Sequence, residues 1–269
     1  MTSILRRSLA PLTEKAWAEV DDQATQILKT QLSARRFVDL DGPHGWGLAA
    51  VDTGRLQLTD AEKTPDVPWG LRAVLPLLEV RLPFVVKQME LDAISRGCKD
   101  PDLESLQQAV RKASWFEESA IYHGLPDASI RGLLQVPERE KVLLPEDPLQ
   151  YPRAVAQAME ILQSNALPGP YFAIFGRTPF FKLMQQVDCS DPPRRLIEEI
   201  TGGSMRCSPA LTDGVVVSAA RGHFELTVGQ DWSIGYAGHD RDDVELYITE
   251  SFTFRVLEPA AVVELGVDR

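Results

Sequence analysis

The stretch Gly229-Gln-Asp-Trp-Ser-Ile-Gly-Tyr236 is the most informative part of this chain. It precedes an acidic turn and two segments, Val244–Ile248 and Phe252–Val256, in which apolar and polar residues alternate. A period of two is typical of β-strands that bury one face. The pattern predicts a two-stranded ribbon beside an aromatic and aliphatic cluster. Nothing in the stretch is typical of a catalytic centre, which indicates a protein that works through its surface.

The composition sets limits on the class of protein. The chain has 269 residues, of which 44% are apolar and 25% are charged, so it can bury a substantial core. A net charge of -11 argues against a general nucleic-acid binder, which needs a basic surface. Cys98, Cys189 and Cys207 form no Cys-x-x-Cys pair, so we expect neither disulfides nor a thiolate zinc site, and a reducing cytoplasm. No apolar run is long enough for a membrane span.

Two helices are predicted in the first half of the chain. Thr13 is a suitable N-cap for an amphipathic helix that ends near Leu32. Asp100-Pro101-Asp102 predicts the start of a second, longer helix, and Gly124 can end it. The second helix would be about 30 Å long and would serve as a structural spine.

The remaining segments differ in character. The polar stretch from Val51 to Trp69 predicts an arm or hairpin that projects from the body. Between Ile130 and Arg221 helical patterns alternate with short apolar strands, which predicts a compact α/β insert. After Gly222 we expect only strands.

Residues typical of catalysis are scattered. The four histidines lack metal-binding spacing, and no Gly-x-Ser-x-Gly, Gly-x-Gly-x-x-Gly or P-loop motif occurs. The adjacent pairs Glu117-Glu118 and Glu198-Glu199 are interpreted as solvated helix faces. Because a dispersed catalytic triad would escape a search by spacing, the sequence favours, but does not prove, a protein without catalysis.

In order along the chain, several blocks of sequence resemble the encapsulins, shell-forming proteins of bacteria and archaea. The blocks include Arg7–Trp17, Arg36–Asp39, Gly42–Trp46, Trp69–Arg72, Glu90–Asp92, Gly132–Leu134, Gly169–Tyr171, Gly229–Tyr236 and Ile248–Phe254. The occurrence of all these blocks in the same order is more specific for the family than any single block.

The resemblance implies an α+β chain with the tailed-phage major-capsid fold. Residues 1–50, 76–130 and 222–269 would form the peripheral domain, residues 51–75 the extended loop, and residues 131–221 the axial domain. Many copies would assemble into a closed icosahedral shell that is not itself an enzyme. The shell would enclose a cargo enzyme for iron storage or oxidative-stress defence, such as a ferritin-like or hemerythrin-like iron protein or a dye-decolourising peroxidase.

In this family the cargo's C-terminal targeting peptide docks on the inner wall, between the N-terminal helix and the terminal sheet. The matching positions are Ile27, Leu28, Leu32, Arg35, Asp39, Trp232 and Ile234. We expect apolar side chains to hold the peptide's aliphatic residues, and Arg35 and Asp39 to fix its ends or backbone. The alternative is that Ile27, Leu28 and Ile234 are core residues.

By position, the resemblance places a five-fold pore loop at Val187, Asp188, Cys189, Ser190 and Asp191. Copies of Asp188 would form a negative ring that concentrates cations, and a solvated turn is the alternative. Some encapsulins bind flavin on a tryptophan before the Glu-Leu-Asp motif. Met89 stands there, so we predict no flavin and no other cofactor.

Two other functions stay open from the sequence alone. A phage-type major capsid protein would share the fold, and neighbouring genes would distinguish it. A protease or bacteriocin is the enzyme alternative, because members of this family have carried those names. Assays on cargo-free shells would test the enzyme alternative, since activity should leave with the cargo.

Overall fold

The computed structural model describes residues 4–58, 67, 69–136, 140–186, 191–202 and 205–266. Its α-helices are α1 (Glu14–Gln31), α2 (Gln88–Arg96), α3 (Glu104–His123), α4 (Tyr151–Ser164), α5 (Arg177–Met184) and α6 (Pro193–Thr201). Its strands are β1 (Asp39–Asp41), β2 (Ala50–Leu58), β3 (Gly70–Pro76), β4 (Leu78–Lys87), β5 (Glu140–Leu143), β6 (Tyr171–Phe175), β7 (Met205–Cys207), β8 (Gly214–Ser218), β9 (Phe224–Val228), β10 (Ser233–His239), β11 (Asp243–Val256) and β12 (Val262–Gly266). This mixture of helices and sheets is the predicted α+β class.

Helix α1 begins where the sequence predicts. The Thr13 side chain accepts a hydrogen bond from the Ala16 amide at 3.2 Å, which satisfies one of the free donors at the helix start. Ala16, Val20 and Ala24 are buried on one face of the helix. The helix ends at Gln31, close to the predicted end at Leu32, and a short 3-10 turn over Ala34–Arg36 follows.

Helix α3 starts later than the sequence predicts. The Asp102 carboxylate accepts a hydrogen bond from the Glu104 amide at 3.1 Å, while the amide of Asp102 donates to Glu90 at 2.9 Å. These contacts hold Asp102 before the first turn, so the helix begins at Glu104 instead of near Pro101. Its end matches the prediction, because Gly124 follows with a φ of +77°.

The first sheet is organised around β11. The prediction that Val244–Ile248 and Phe252–Val256 form a two-stranded ribbon is wrong, because both belong to this one continuous strand. Residues 249–251 between them pair with β4 and form no turn. Strand β4 pairs antiparallel with one edge of β11, from Asp243 to Phe252. Strands β10 and β9 pair with β11 one after the other, and β1 adds parallel to β9. Strand β4 has no second partner strand among the described residues, so Pro83 lies in an edge strand, where a missing backbone donor is tolerated.

An irregular segment, residues 229–232, separates β9 from β10 and will be called the bulge. Val228 pairs with Phe252 and Ser233 with Thr249, so the segment holds more residues than the stretch of β11 opposite. The Ser251 side chain accepts from the Gln230 amide at 2.8 Å. A Cβ on Gly229 would lie 2.5 Å from the Ser251 hydroxyl, so this close approach requires glycine.

The second sheet has the order β5-β12-β8-β6-β7 and belongs mainly to the predicted α/β insert. The presence of β12 in this sheet was not predicted. Strand β12 pairs with β8 and β5, whereas the sequence placed all residues after 222 with the other terminal strands. Val262, Val263 and Leu265 are buried there, because the 3-10 turn over Pro259–Ala261 leads the chain into the second sheet.

Strands β2 and β3 form a separate two-stranded hairpin, which will be called the arm. Ala50 pairs with Pro76 at its base, and Leu58 pairs with Gly70 at the far end of the described part. Most arm side chains are exposed. The arm confirms the hairpin predicted for the polar stretch after residue 50.

Two apolar clusters form the core, and α3 runs through both. Leu106, Val110 and Ala113 pack with α1, α2 and the β4–β11–β10 side of the first sheet. Ile121 and Tyr122, near the other end of α3, pack with the second sheet, α4 and β9. The middle of α3 therefore lies where the two clusters meet.

Candidate functional site

A buried polar junction occupies the middle of α3, between the two apolar clusters. Glu117 and Glu118 are both 0% exposed, so the expectation that they form a solvated helix face is wrong. The physical reason is that α3 is covered on more than one side, so adjacent positions on it are both enclosed. Periodicity was the available signal, because Val110, Ala113, Glu117 and Ile121 recur at helical spacing.

Arg35 is the centre of this junction. Its guanidinium donates two hydrogen bonds of 2.8 Å to the Glu117 carboxylate and one of 2.9 Å to Asp231, and it also pairs with Glu250. Only 16% of the Arg35 side chain is exposed, and those of Glu117 and Glu250 are fully buried. Planar, two-pronged pairing of this kind is specific to arginine.

The bulge supplies the junction's other members. Trp232 donates from its indole nitrogen to Glu117 at 2.7 Å, and its amide donates to Asp231 at 2.8 Å. Because the bulge breaks the regular pleat, Asp231 and Trp232 can turn toward α3 and Arg35. The Gly229–Tyr236 stretch thus connects to the segment after α1 through one arginine, Arg35.

The charged groups in the junction shift one another's pKa values. Burial alone lowers the pKa of Arg35, but the carboxylates of Glu117, Glu250 and Asp231 outweigh burial and raise its net pKa. Burial, reinforced by the nearby charge of Glu117, raises the pKa of Glu250 well above its ordinary value. Arg35 is therefore permanently charged and fully engaged within its own chain.

Glu118 belongs to a neighbouring network. Its carboxylate accepts hydrogen bonds from the Ser33 hydroxyl at 2.5 Å, the Ser208 hydroxyl at 2.6 Å and the Ala34 amide at 2.8 Å. These contacts link the segment after α1, the spine helix and the segment after β7. Burial nevertheless raises the pKa of Glu118 to about 7.

Above the junction lies an open cavity of about 560 Å³, which will be called the first cavity. Four of the residues predicted to bind a targeting peptide line it together. They are Leu28, Leu32, Arg35 and Trp232, and their neighbours in the wall are Thr25, Lys29, Arg36 and Asp231. The cavity thus combines three apolar side chains with polar and charged ones, and the charge of Arg35 is already balanced within the chain.

The other three predicted residues lie elsewhere. Ile234 is only 3% exposed and belongs to the core cluster around α1, which is the alternative that the sequence left open. Ile27 is half-buried against the same cluster and does not line the cavity. Asp39 lies in β1, where its side chain accepts from the Gly222 amide at 2.6 Å instead of facing the cavity.

The predicted pore loop is mostly outside the described residues. Val187, Asp188, Cys189 and Ser190 fall there, and Asp191 is exposed just before α6. The negative ring therefore stays a prediction. Within the described parts of the chain, no group of three histidine, cysteine or acidic side chains could hold a metal ion. Nor does any helix there combine the length and apolar character needed to cross a bilayer.

Comparisons with known proteins agree on fold and family. The family described as "Encapsulating protein for peroxidase" matches residues 1–253. A type 1 encapsulin shell protein of Rhodospirillum rubrum is 38% identical, covering 97% of this chain and 95% of the relative. One from Mycobacterium tuberculosis is 36% identical, covering 97% of this chain and 98% of the relative. Both relatives are named as shell proteins, and neither name describes an enzyme.

Solved structures confirm the predicted capsid-like fold. A virus-like particle from Pyrococcus furiosus has a TM-score of 0.63 at 20% identity and covers 94% of this chain and 98% of that one. The capsid of cyanophage P-SCSP1u has a TM-score of 0.52 at 11% identity and covers 87% of both chains. With whole-length relatives above 30% identity and a family match over most of its length, the chain belongs to the type 1 encapsulin shell proteins.

Proposed function

We propose that this chain is the subunit of a closed icosahedral compartment that holds a cargo enzyme through the cargo's C-terminal targeting peptide. The observation that carries the docking part is the first cavity, where Leu28, Leu32 and Trp232 meet. The family description supports a peroxidase as cargo. Iron proteins of the ferritin-like or hemerythrin-like type rest on the sequence resemblance alone.

The arm supports assembly. Leu56, Leu58 and Leu71 are 58%, 78% and 59% exposed, although leucine is most often buried. Exposed apolar side chains on a projecting hairpin are typical of a surface that another molecule covers. A shell supplies that cover, because every subunit meets identical neighbours through repeated interfaces that close on themselves.

The first cavity supports peptide docking. Its walls come from α1 and the bulge, two elements that the buried network around Arg35 holds together. A peptide's aliphatic side chains would be removed from water against Leu28 and Leu32, worth about 25 cal/mol for each Å² of apolar surface. Arg35 orients Trp232 through their shared partner Glu117, so in this proposal it shapes the cavity and the peptide does not compete for it.

The test is Leu28→Asp in shells purified from the source organism. A carboxylate in the cavity wall would oppose aliphatic docking, so we expect intact shells that have lost most of their cargo. Electron microscopy would count shells, and mass spectrometry would measure the accompanying protein. Gln26→Asp is the matched control, because Gln26 is exposed on the same helix and does not line the cavity. Equal cargo content in Leu28→Asp and unmodified shells would contradict the docking site.

Ile234→Asp is not an equivalent test, because Ile234 is buried. A carboxylate there would weaken the subunit itself, so a loss of cargo would follow from misfolding. For cofactors, we propose that the shell carries no flavin, since Met89, 67% exposed, offers no aromatic stacking surface. A flavin absorbance in purified shells would contradict this.

A further inference from the structure

A second cavity of about 370 Å³ adjoins the first. Lys29, Leu32 and Arg36 line both, so the two form one continuous surface. The second cavity runs from the end of α1 toward the second sheet, where Phe180, Arg194 and Arg206 line it. The proposed docking of an aliphatic peptide uses only the first cavity and leaves the second unexplained.

The second cavity is basic, in contrast to the whole chain with its net charge of -11. No aspartate or glutamate occurs among the residues that line it. Arg194 is paired with Glu198 at 3.2 Å, and Arg206 donates to the backbone oxygen of Met205 at 3.1 Å. Within the described residues, Lys29, Arg36 and Arg206 form no salt bridge.

Unpaired cations in a concave surface attract anions, and arginine binds carboxylates with directed hydrogen bonds. The contrast with Arg35 in the same region is informative. Arg35 has three carboxylate partners, whereas Arg36, the next residue, is exposed and has none among the described residues. The fold thus pairs the charge of Arg35 within the chain and leaves Arg36 exposed in the wall of both cavities.

We propose that the two cavities form one docking groove, and that the targeting peptide carries acidic side chains that contact Lys29, Arg36 and Arg206 beside the aliphatic residues in the first cavity. This inference rests on the proposed docking function. The expected occupant is a carboxylate-bearing peptide, because the cations of the second cavity adjoin the apolar side chains of the first, and the chain's overall charge disfavours nucleic acid.

The test uses a fluorescent protein with designed C-terminal tails, co-expressed with the full-length shell protein. One tail has an aliphatic segment next to Asp and Glu residues, the second replaces these with Asn and Gln, and the third scrambles the aliphatic segment. Each is made with the acidic part before and after the aliphatic part. Reporter fluorescence per purified shell measures loading.

In unmodified shells we expect the acidic tail to load about three- to tenfold better than the neutral tail, as two or three exposed charge pairs would give. Lys29→Gln with Arg36→Gln should remove this preference, so that the acidic and neutral tails load these shells equally. Arg111→Gln with Lys112→Gln, which removes the same charge on α3, should keep the preference.

Three results would overturn the inference, each in a different way. Equal loading of acidic and neutral tails would refute the acidic contact and leave aliphatic docking intact. Equal loading of the scrambled tail would refute the proposed docking function itself. Nucleic acid that co-purifies with shells and disappears in the Lys29→Gln, Arg36→Gln variant would assign the basic cavity to another kind of partner.

Discussion

At the scale of single residues, Arg35 connects more of the structure than any other side chain in the candidate site. It joins the segment after α1 to α3, the bulge and β11. A buried ion pair contributes little net free energy, because removing charges from water offsets their attraction. Removing one partner has a large cost, since the others remain buried and uncompensated.

Arg35→Ala should therefore lower the free energy of unfolding by about 3–5 kcal/mol. Arg35→Lys should fall short of full rescue, because one ammonium group cannot reproduce the paired contacts with Glu117 while also reaching Asp231 and Glu250. Urea unfolding followed by tryptophan fluorescence measures both. A lysine variant as stable as the unmodified protein would show that charge alone, without the geometry of arginine, holds the junction.

Because the pKa of Glu118 is raised in the fold, we expect the stability of the protein to depend on pH. Its pKa rises from an ordinary value of 4.5 in the unfolded chain to about 7 in the fold. Between these values the folded chain holds a proton that the unfolded chain has released, so Glu118 makes the free energy of unfolding fall as the pH rises through this window. The contribution is at most about 3 kcal/mol. Tyr122 and Cys207 face Glu118, but burial raises the pKa of each above its ordinary value.

Glu118→Gln should flatten this slope between pH 5 and pH 8, because glutamine does not titrate. Unfolding midpoints in urea at several pH values would measure it. Glu199→Gln is the control, since Glu199 is exposed and should leave the slope as it is. An unchanged slope in Glu118→Gln would mean that Glu118 is already ionised throughout the window.

At the scale of elements, the long strand β11 and the bulge opposite it define the site. A regular partner strand would have continued the pleat past Glu250 and left Arg35 without Asp231, and Glu117 without Trp232. The extra residues of the bulge turn these side chains toward α3. The sheet thereby supplies the wall of a cavity without losing its pairing on either side of the bulge.

The exposed leucines of the arm are expected to contribute to shell assembly. Replacing Leu56, Leu58 and Leu71 together by serine should raise the subunit concentration needed for shell assembly about tenfold or more, because three apolar contacts per interface are lost. Sedimentation would measure assembly, and circular dichroism would check the fold. Arg55→Ser with Gln57→Ser changes exposed polar positions of the same strand and should assemble normally. Normal assembly of the triple serine variant would mean that Leu56, Leu58 and Leu71 remain exposed to water in the shell.

At the scale of the whole molecule, one spine helix unites two apolar clusters, and the buried network lies where they meet. The same architecture occurs in virus-like particles and phage capsids at identities of 20% and below. Whole-length identities of 36–38% to named shell proteins separate this chain from the phage alternative. Family membership also confirms the expectation of a structural protein in place of an enzyme.

Local signals were enough for most elements. The Thr13 cap and the polar arm each depend on neighbours a few residues apart, so the sequence predicts them directly. The alternation in Val244–Ile248 and Phe252–Val256 also predicts strand structure, but it does not reveal that pairing with β4 joins the two segments into one strand. The late start of α3 shows the limit of such signals, because the contact between Asp102 and Glu90 modifies the local cap. The family resemblance grouped seven residues as a peptide site, and four of them line the first cavity.

By itself, the sequence determined the class, the start of α1, the end of α3, the arm and the family. The tertiary structure alone decided the groove's character. Arg35 lies 82 residues from Glu117, 196 from Asp231 and 215 from Glu250, so no periodicity or spacing could reveal that they meet. The fold buries Ile234 in the core but leaves Leu28 in the cavity wall, and burial raises the pKa of Glu118. The physical reason is that exposure and ionisation depend on everything that surrounds a side chain, and folding brings those surroundings from distant parts of the chain.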